Sequence, residues 1–226
     1  MAVTLDSATN GGGFSNATSK SFSHTVGTAG KNRAIFAMIS LGPDGANPTV
    51  PTATYGGVAM TNISSYTVAN RIVAAYYLAN PLTGSNTVAF SWSNVALGYA
   101  GAISFYKVSQ STPYRAGSWT QGAVSVSGSV DVPSNLGDYA VDVIIVSDGF
   151  GGSGALTVGA GQTEIYNNDI QNVNRNLCGS SYEAAAQGTT TMSWTENASS
   201  TGHMAGFCVV AGSGGGGAAI SPTLIF

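Results

Sequence analysis

Apolar residues along this chain either alternate with polar ones or come in short continuous runs, and the period is two rather than 3.6. Residues 19–26 alternate around Phe22, His24 and Val26, the signature of a strand with one buried face. Residues 34–41 (AIFAMISL) are an unbroken apolar run, which reads as a strand enclosed on both faces. Gly56-Gly57 separates strand-like residues 53–55 from 58–63, a hairpin signal. Strands at 72–78, 86–92 and 100–108 complete a first set. A second set falls at 123–132, 139–146, 156–158 with 162–166, 177–184, 189–194 and 203–210. No segment carries a sustained i, i+3, i+4, i+7 stripe, so the pattern predicts an all-β protein.

The two sets resemble each other. Trp92 and Trp194 close similar segments 102 residues apart, and Asn70-Arg71 precedes Asn174-Arg175 by 104. Residues 34–39 match 140–145 at a spacing of 106, and Ala100-Gly101-Ala102-Ile103 matches Met204-Ala205-Gly206-Phe207. A nearly constant offset predicts an internal duplication of about 104 residues. Six short strands per half suit one antiparallel two-sheet sandwich, preferred over two tandem domains because no linker-like segment separates residues 108 and 123. The predicted organisation is an N-terminal arm at 1–18, a β-sandwich at 19–211 with pseudo-repeats 19–108 and 123–210, and a Gly-rich linker with an apolar tail at 212–226. Residues 109–122 read as a long polar connection. The predicted core includes Phe36, Ile39, Phe90, Trp92, Ile103, Val143, Ile145, Met192, Trp194 and Phe207.

Composition narrows the class. Of 226 residues, 31 are Gly and only 8% are charged, which disfavours helices and leaves Ser, Thr, Asn and Gln to make the polar surface. Such a surface suits contacts repeated through a large assembly. The formal charge is −3, and the seven Lys and Arg stand singly, so no basic stripe for nucleic acid exists. Residues 1–113 hold five basic and two acidic groups, and residues 114–226 two and eight. That asymmetry reads as chance, with head-to-tail contacts between copies as the alternative. No apolar run reaches the ~18 residues of a membrane helix. Met1-Ala2-Val3-Thr4-Leu5-Asp6 lacks the basic and apolar regions of a signal peptide, which predicts no export. Cys178 and Cys208 fall in predicted strands and read as buried thiols, with a strand-to-strand disulfide as the alternative.

Motifs for chemistry are near misses. Gly149, Gly151 and Gly154 spell GxGxxG after an apolar strand, but a dinucleotide site needs a helix at the last Gly, and Ala155-Leu156-Thr157-Val158 reads as strand. Gly27-Thr28-Ala29-Gly30-Lys31-Asn32 lacks the first Gly and the hydroxyl residue of a P-loop. His24 and His203 lie in different halves, and no GxSxG elbow accompanies them. Asp131, Asp138, Asp142 and Asp148 form the densest acidic stretch. They read as a solvated edge, with an edge calcium site as the alternative. Neither cofactor nor metal nor catalytic group is predicted, and the chain reads as a non-enzyme. Tyr114, Arg115 and Trp119 cluster in the polar connection, where exposed aromatics stack on sugars or anchor an interface. Ile220, Leu224, Ile225 and Phe226 are the apolar groups of the tail and the candidate partner-binding residues.

The ordered series Ser21-Phe22-Ser23-His24-Thr25-Val26, Thr54-Tyr55-Gly56-Gly57-Val58-Ala59-Met60-Thr61, Tyr76-Tyr77-Leu78-Ala79-Asn80-Pro81, Ala100-Gly101-Ala102-Ile103-Ser104-Phe105 with Gln110-Ser111-Thr112-Pro113, Gly159-Ala160-Gly161-Gln162-Thr163 and Thr191-Met192-Ser193-Trp194-Thr195 resembles a recurrent jelly-roll-like β-sandwich module of tailed-phage virion proteins and bacterial surface proteins. The resemblance covers roughly residues 3–210. It implies a structural virion protein, a capsid decoration or tail component, assembled in the host cytoplasm and bound to other virion proteins and to copies of itself. The alternative it leaves is a carbohydrate-binding adhesin or receptor-binding module that meets a host surface glycan. It implies no nucleic acid, no membrane and no catalytic residues.

Overall fold

The structure is a computed structural model that describes residues 1–124, 127–147, 154–170, 176–196 and 200–212. Every regular element described is a strand. In chain order these are β1 (Thr4–Val26), β2 (Ala34–Pro43), β3 (Thr52–Tyr55), β4 (Val58–Ala59), β5 (Thr61–Val68), β6 (Arg71–Ala79) and β7 (Gly84–Tyr106). There follow β8 (Tyr114–Val124), β9 (Ser127–Ser134), β10 (Tyr139–Ser147), β11 (Leu156–Val158), β12 (Thr163–Ile170), β13 (Asn176–Ala184), β14 (Gly188–Glu196) and β15 (Ser200–Val209).

They form a seven-stranded, a five-stranded and a three-stranded sheet, all antiparallel. The seven-stranded sheet folds over on itself. Strand β3 pairs the first half of β7 (Tyr55 opposite Val88), and β2 pairs the second half (Ala34 opposite Phe105). Strand β1 follows β7 through both halves, from Val26 opposite Gly84 to Thr4 opposite Tyr106. Both long strands turn where a residue adopts positive φ, Asn16 at 47° and Asn94 at 63°, a conformation that Asn tolerates better than most side chains.

The fold-over brings Val88, Phe90 and Trp92 against Ile35, Ala37, Ile39, Leu41 and Tyr76 in one core. The five- and three-stranded sheets enclose a second core around Trp194, Met192, Val130, Ile144, Val146 and Met204. Between the two lies a third core. It is built from Phe36, Met38, Ile103 and Phe105 on one side and Val141, Val143, Ile145 and Phe207 on the other. Four β layers therefore alternate with three apolar cores, not the single two-sheet sandwich expected from the sequence, because the seven-stranded sheet folds over to make two layers of its own. Strands β2 and β10 each face a core on both sides, which accounts for their unbroken burial and their unbroken apolar sequence. All ten residues expected in the core are buried.

Two segments differ from the sequence expectation. Residues 4–18, expected as part of an arm, are the first half of β1 and pair with β7. Residues 114–122, expected as connection, lie in β8 and pair with β15. Neither has an apolar alternation of its own; each is strand because its partner supplies a ladder for its backbone. Glycine helps at one close approach, since a Cβ on Gly98 of β7 would clash with the Ser40 carbonyl oxygen of β2.

Candidate functional site

Tyr114 and Arg115 open β8. Tyr114 is half-buried, its ring centroid 5.0 Å from that of Tyr77. Arg115 Nη2 donates to Asp138 Oδ2 at 2.9 Å, and Asp138 is only 3% exposed. Both residues are thus engaged within the chain. The side chain of Trp119 lies outside the described residues, although its backbone pairs opposite Ala205. Ile220, Leu224, Ile225 and Phe226 also lie outside the described residues.

The near-miss motifs resolve as follows. Residues 148–153 are not described, but Gly154 leads into strand β11 rather than a helix. His24 is buried on β1, with Nδ1 2.8 Å from Thr9 Oγ1. Burial lowers its pKa to about 4, partly offset by Asp6. His203 is buried on β15, and burial together with the Arg71 cation lowers its pKa. The two histidines belong to different halves and share no hydrogen bond. Both cysteines are free and buried. Burial pushes the Cys208 thiol up to about 12 and the Cys178 thiol higher still, so both stay protonated and unreactive. Among the described residues, no three His, Cys, Asp or Glu side chains stand close enough to hold a metal ion.

The acidic stretch is divided: Asp131 is exposed, as a solvated edge requires, Asp138 and Asp142 are buried, and Asp148 lies outside the described residues. Asp131 Oδ1 accepts from Thr191 Oγ1 at 2.7 Å. Asp138 accepts from Arg115 and from the backbone N–H groups of Asn135 and Ala211. Asp142 is fully buried beside the second core. Its Oδ1 accepts from Ser181 N at 2.7 Å, and its Oδ2 from Trp194 Nε1 at 2.9 Å, Ser181 Oγ at 3.0 Å and Gln162 Nε2 at 3.3 Å. Burial raises its pKa to about 7, against the pull of the Trp194 and Ser181 hydrogen bonds. The same Gln162 amide donates to Ser181 Oγ at 2.6 Å and accepts from Ser193 N at 2.8 Å. Asp138 gathers as many donors, with Cys208 Sγ the fourth at 3.5 Å. The only hint of the Asp142 cluster in the sequence was an aspartate inside an apolar strand.

Surface depressions are modest. One of about 330 Å³ is lined by Gly154, Leu156, Asn167, Asn168, Asp169 and Leu177. Another of about 320 Å³ is lined by Asn32, Val108, Ser109, Gln110, Ser111 and Gly212. Neither contains a histidine, a cysteine or a nucleophile–base pair. Compared with known proteins, the chain matches no family model, no curated protein and no solved structure.

Proposed function

We propose that this chain is a structural, non-enzymatic protein of a tailed-phage particle, a capsid decoration or tail component, that binds other virion proteins and further copies of itself without a cofactor. The proposal includes two jelly-roll-like halves descended from an internal duplication of about 104 residues.

Strand order supports the duplication. Each of β1 and β7 counts as two segments, one per layer, and the two-residue β4 is left aside. Numbering segments in chain order within each half, the large layers then run 5-6-3-8-1: β5-β6-β2-β7-β1 and β12-β13-β10-β15-β8. The small layers run 4-7-2: β3-β7-β1 and β11-β14-β9. A jelly roll interleaves eight strands between two sheets in this manner. Pairing register refines the match. Ala34 lies opposite Ala79 and Tyr139 opposite Ala184, which sets Ala34 against Tyr139, one residue from the alignment read off the sequence. Where the halves meet, Val108 and Ala211 form an antiparallel bridge. It carries a matched pair of bonds, Ser109 N to Val210 O and Gly212 N to Lys107 O.

One observation carries the functional reading. Three of the second half's acidic side chains, Asp138, Asp142 and Glu196, are buried, and the exposed Asp131 and Glu164 accept hydrogen bonds from Thr191 and Asn167 of the chain itself. The surface around them is rich in Ser, Thr and Asn and sparse in charge, which suits packing in many copies. In the proposed assembly Ile220, Leu224, Ile225 and Phe226 anchor the chain to its neighbours. The glycan alternative is weakened because Tyr114 and Arg115 are engaged internally. The test is quantitative mass spectrometry of purified particles, with a glycan array on the isolated protein. Stoichiometric presence in particles, reduced when 213–226 are deleted, is the expected result. Absence from particles, or selective glycan binding lost in Trp119→Ala, overturns the structural reading.

A further inference from the structure

The buried cluster around Asp142 contains the parts of an acyl transfer reaction. Ser181 Oγ is a hydroxyl nucleophile whose hydrogen bond runs to Asp142 Oδ2 at 3.0 Å, the geometry of a general base. On its other side the Gln162 amide nitrogen sits 2.6 Å from the same Oγ. With a C–N bond of about 1.33 Å and a donor angle near 120°, Oγ lies about 3.5 Å from the amide carbon but in the amide plane, at its nitrogen edge, so attack on the carbonyl face within ~3–3.5 Å requires the carboxamide to turn about its Cγ–Cδ bond. The carbonyl oxygen of that amide already accepts from Ser193 N–H at 2.8 Å, the distance expected of an oxyanion donor. These contacts also fix which end of the amide is which. Only oxygen accepts from the Ser193 N–H, and only nitrogen donates to the Asp142 carboxylate.

We propose that Ser181 and Gln162 form an intramolecular ester cross-link, promoted by Asp142, that joins β13 covalently to the turn before β12. In the forward step Ser181 Oγ adds to Gln162 Cδ and its proton passes to Asp142 Oδ2. The negative charge gathers on Gln162 Oε1, held by Ser193 N–H. The adduct collapses as the Cδ–Nε2 bond breaks, and the nitrogen takes the proton from Asp142 and leaves as ammonia. Hydroxyl and carboxamide become ester and ammonia, so no oxidant, reductant or cofactor is needed.

Several features favour the reaction. Ser181 and Asp142 are both fully buried, so water is kept from the ester once formed. Gln162 is half-exposed, which gives ammonia a way out into dilute solution. The carboxyl, raised to about 7 by burial, is a stronger base than an exposed aspartate. Trp194 Nε1, at 2.9 Å from Oδ2, positions the carboxylate. Gly159 leaves room for the amide, because a Cβ there would meet Gln162 Oε1. Glu183, the other carboxylate that acts on Asp142 by charge, pushes the same pKa upward.

Intact-mass spectrometry of the folded full chain, held at pH 7–8, tests this directly. The expected mass is short of the sequence by one ammonia, about 17 Da. Peptide mapping should join the Gln162 and Ser181 peptides through a link that hydroxylamine cleaves. Ser181→Ala should restore the full mass, and Ser181→Thr, which keeps the hydroxyl, should retain the loss. A wild-type mass equal to the sequence, or an ammonia loss mapped to any other site, overturns the proposal. The wild-type result decides even if Ser181→Ala fails to fold.

Discussion

Phe207→Ala tests whether the middle core couples the two halves into one folding unit. Phe207 is 1% exposed on β15 and lies opposite Val141 of β10. Its ring stacks on Phe36 of β2 with centroids 5.4 Å apart, so the contact spans the boundary between the halves. Truncating a buried phenylalanine costs about 3–5 kcal/mol, of which the ring pair accounts for about 0.5–1.5 kcal/mol. With a urea slope of about 2–3 kcal/mol per molar for a chain of this size, the midpoint should fall by roughly 1–2 M. Fluorine NMR of fluorotryptophan-labelled protein reads the two halves apart. Trp92 belongs to the first-half core and Trp194 to the second. Both resonances should lose their native positions at the same lowered urea concentration. If Trp194 shifts alone while Trp92 keeps the wild-type midpoint, the halves fold independently. A loss below about 1 kcal/mol would equally refute the argument, since it denies that the side chain fills a packed core.

Three further outcomes follow from particular contacts. His24 takes a proton near 6.5 when unfolded but only at about 4 when folded. Its stabilising contribution is therefore complete above pH 6.5 and is lost as pH falls towards 4, by up to about 3 kcal/mol. His24→Gln should remove that loss, and parallel urea-midpoint profiles for wild type and variant between pH 7 and 4 would contradict it. Arg115→Ala should cost only about 1 kcal/mol, because Arg115 is 32% exposed and solvent screens the pair. Asp138→Ala should cost about 2–4 kcal/mol, since it strands the N–H groups of Asn135 and Ala211; the reverse order in denaturation would refute the assignment. Gly98→Ala should drive a methyl into the Ser40 carbonyl oxygen and cost about 2–3 kcal/mol, and an unchanged melting temperature would show that β2 and β7 do not approach as closely as described.

Strands β2 and β10 were legible because a strand covered on both faces must be apolar throughout, and their sequences are. Strands β1 and β8 were not. Asn10-Gly11-Gly12-Gly13 and Ala116-Gly117-Ser118 carry no alternation, and only the long ladders to β7 and β15 make them strand. The Asp142 cluster escaped for a related reason. Its donors stand 20, 39 and 52 positions away in Gln162, Ser181 and Trp194, so no local window contains them. Tyr114 and Arg115 were misplaced because a polar, proline-containing stretch reads as loop, whereas Tyr77 and Asp138 supply their partners only in the folded chain.

The neighbours of β7 have a consequence for synthesis on the ribosome. Strand β7 pairs with β1, β2 and β3, so three segments made earlier must wait for one made later. Residues 1–83 leave the ribosome without the strand that closes their sheet. At ~5–20 residues per second, that interval is about 4–16 s, long compared with hairpin formation in ~1–10 μs. During it the apolar strand β2 can pair with β6 alone, and its other edge is open to neighbouring chains on the same message. The Ser- and Gly-rich composition of β1, poor in the large apolar residues that drive intermolecular sheet growth, lets that strand wait without aggregating until its partner emerges.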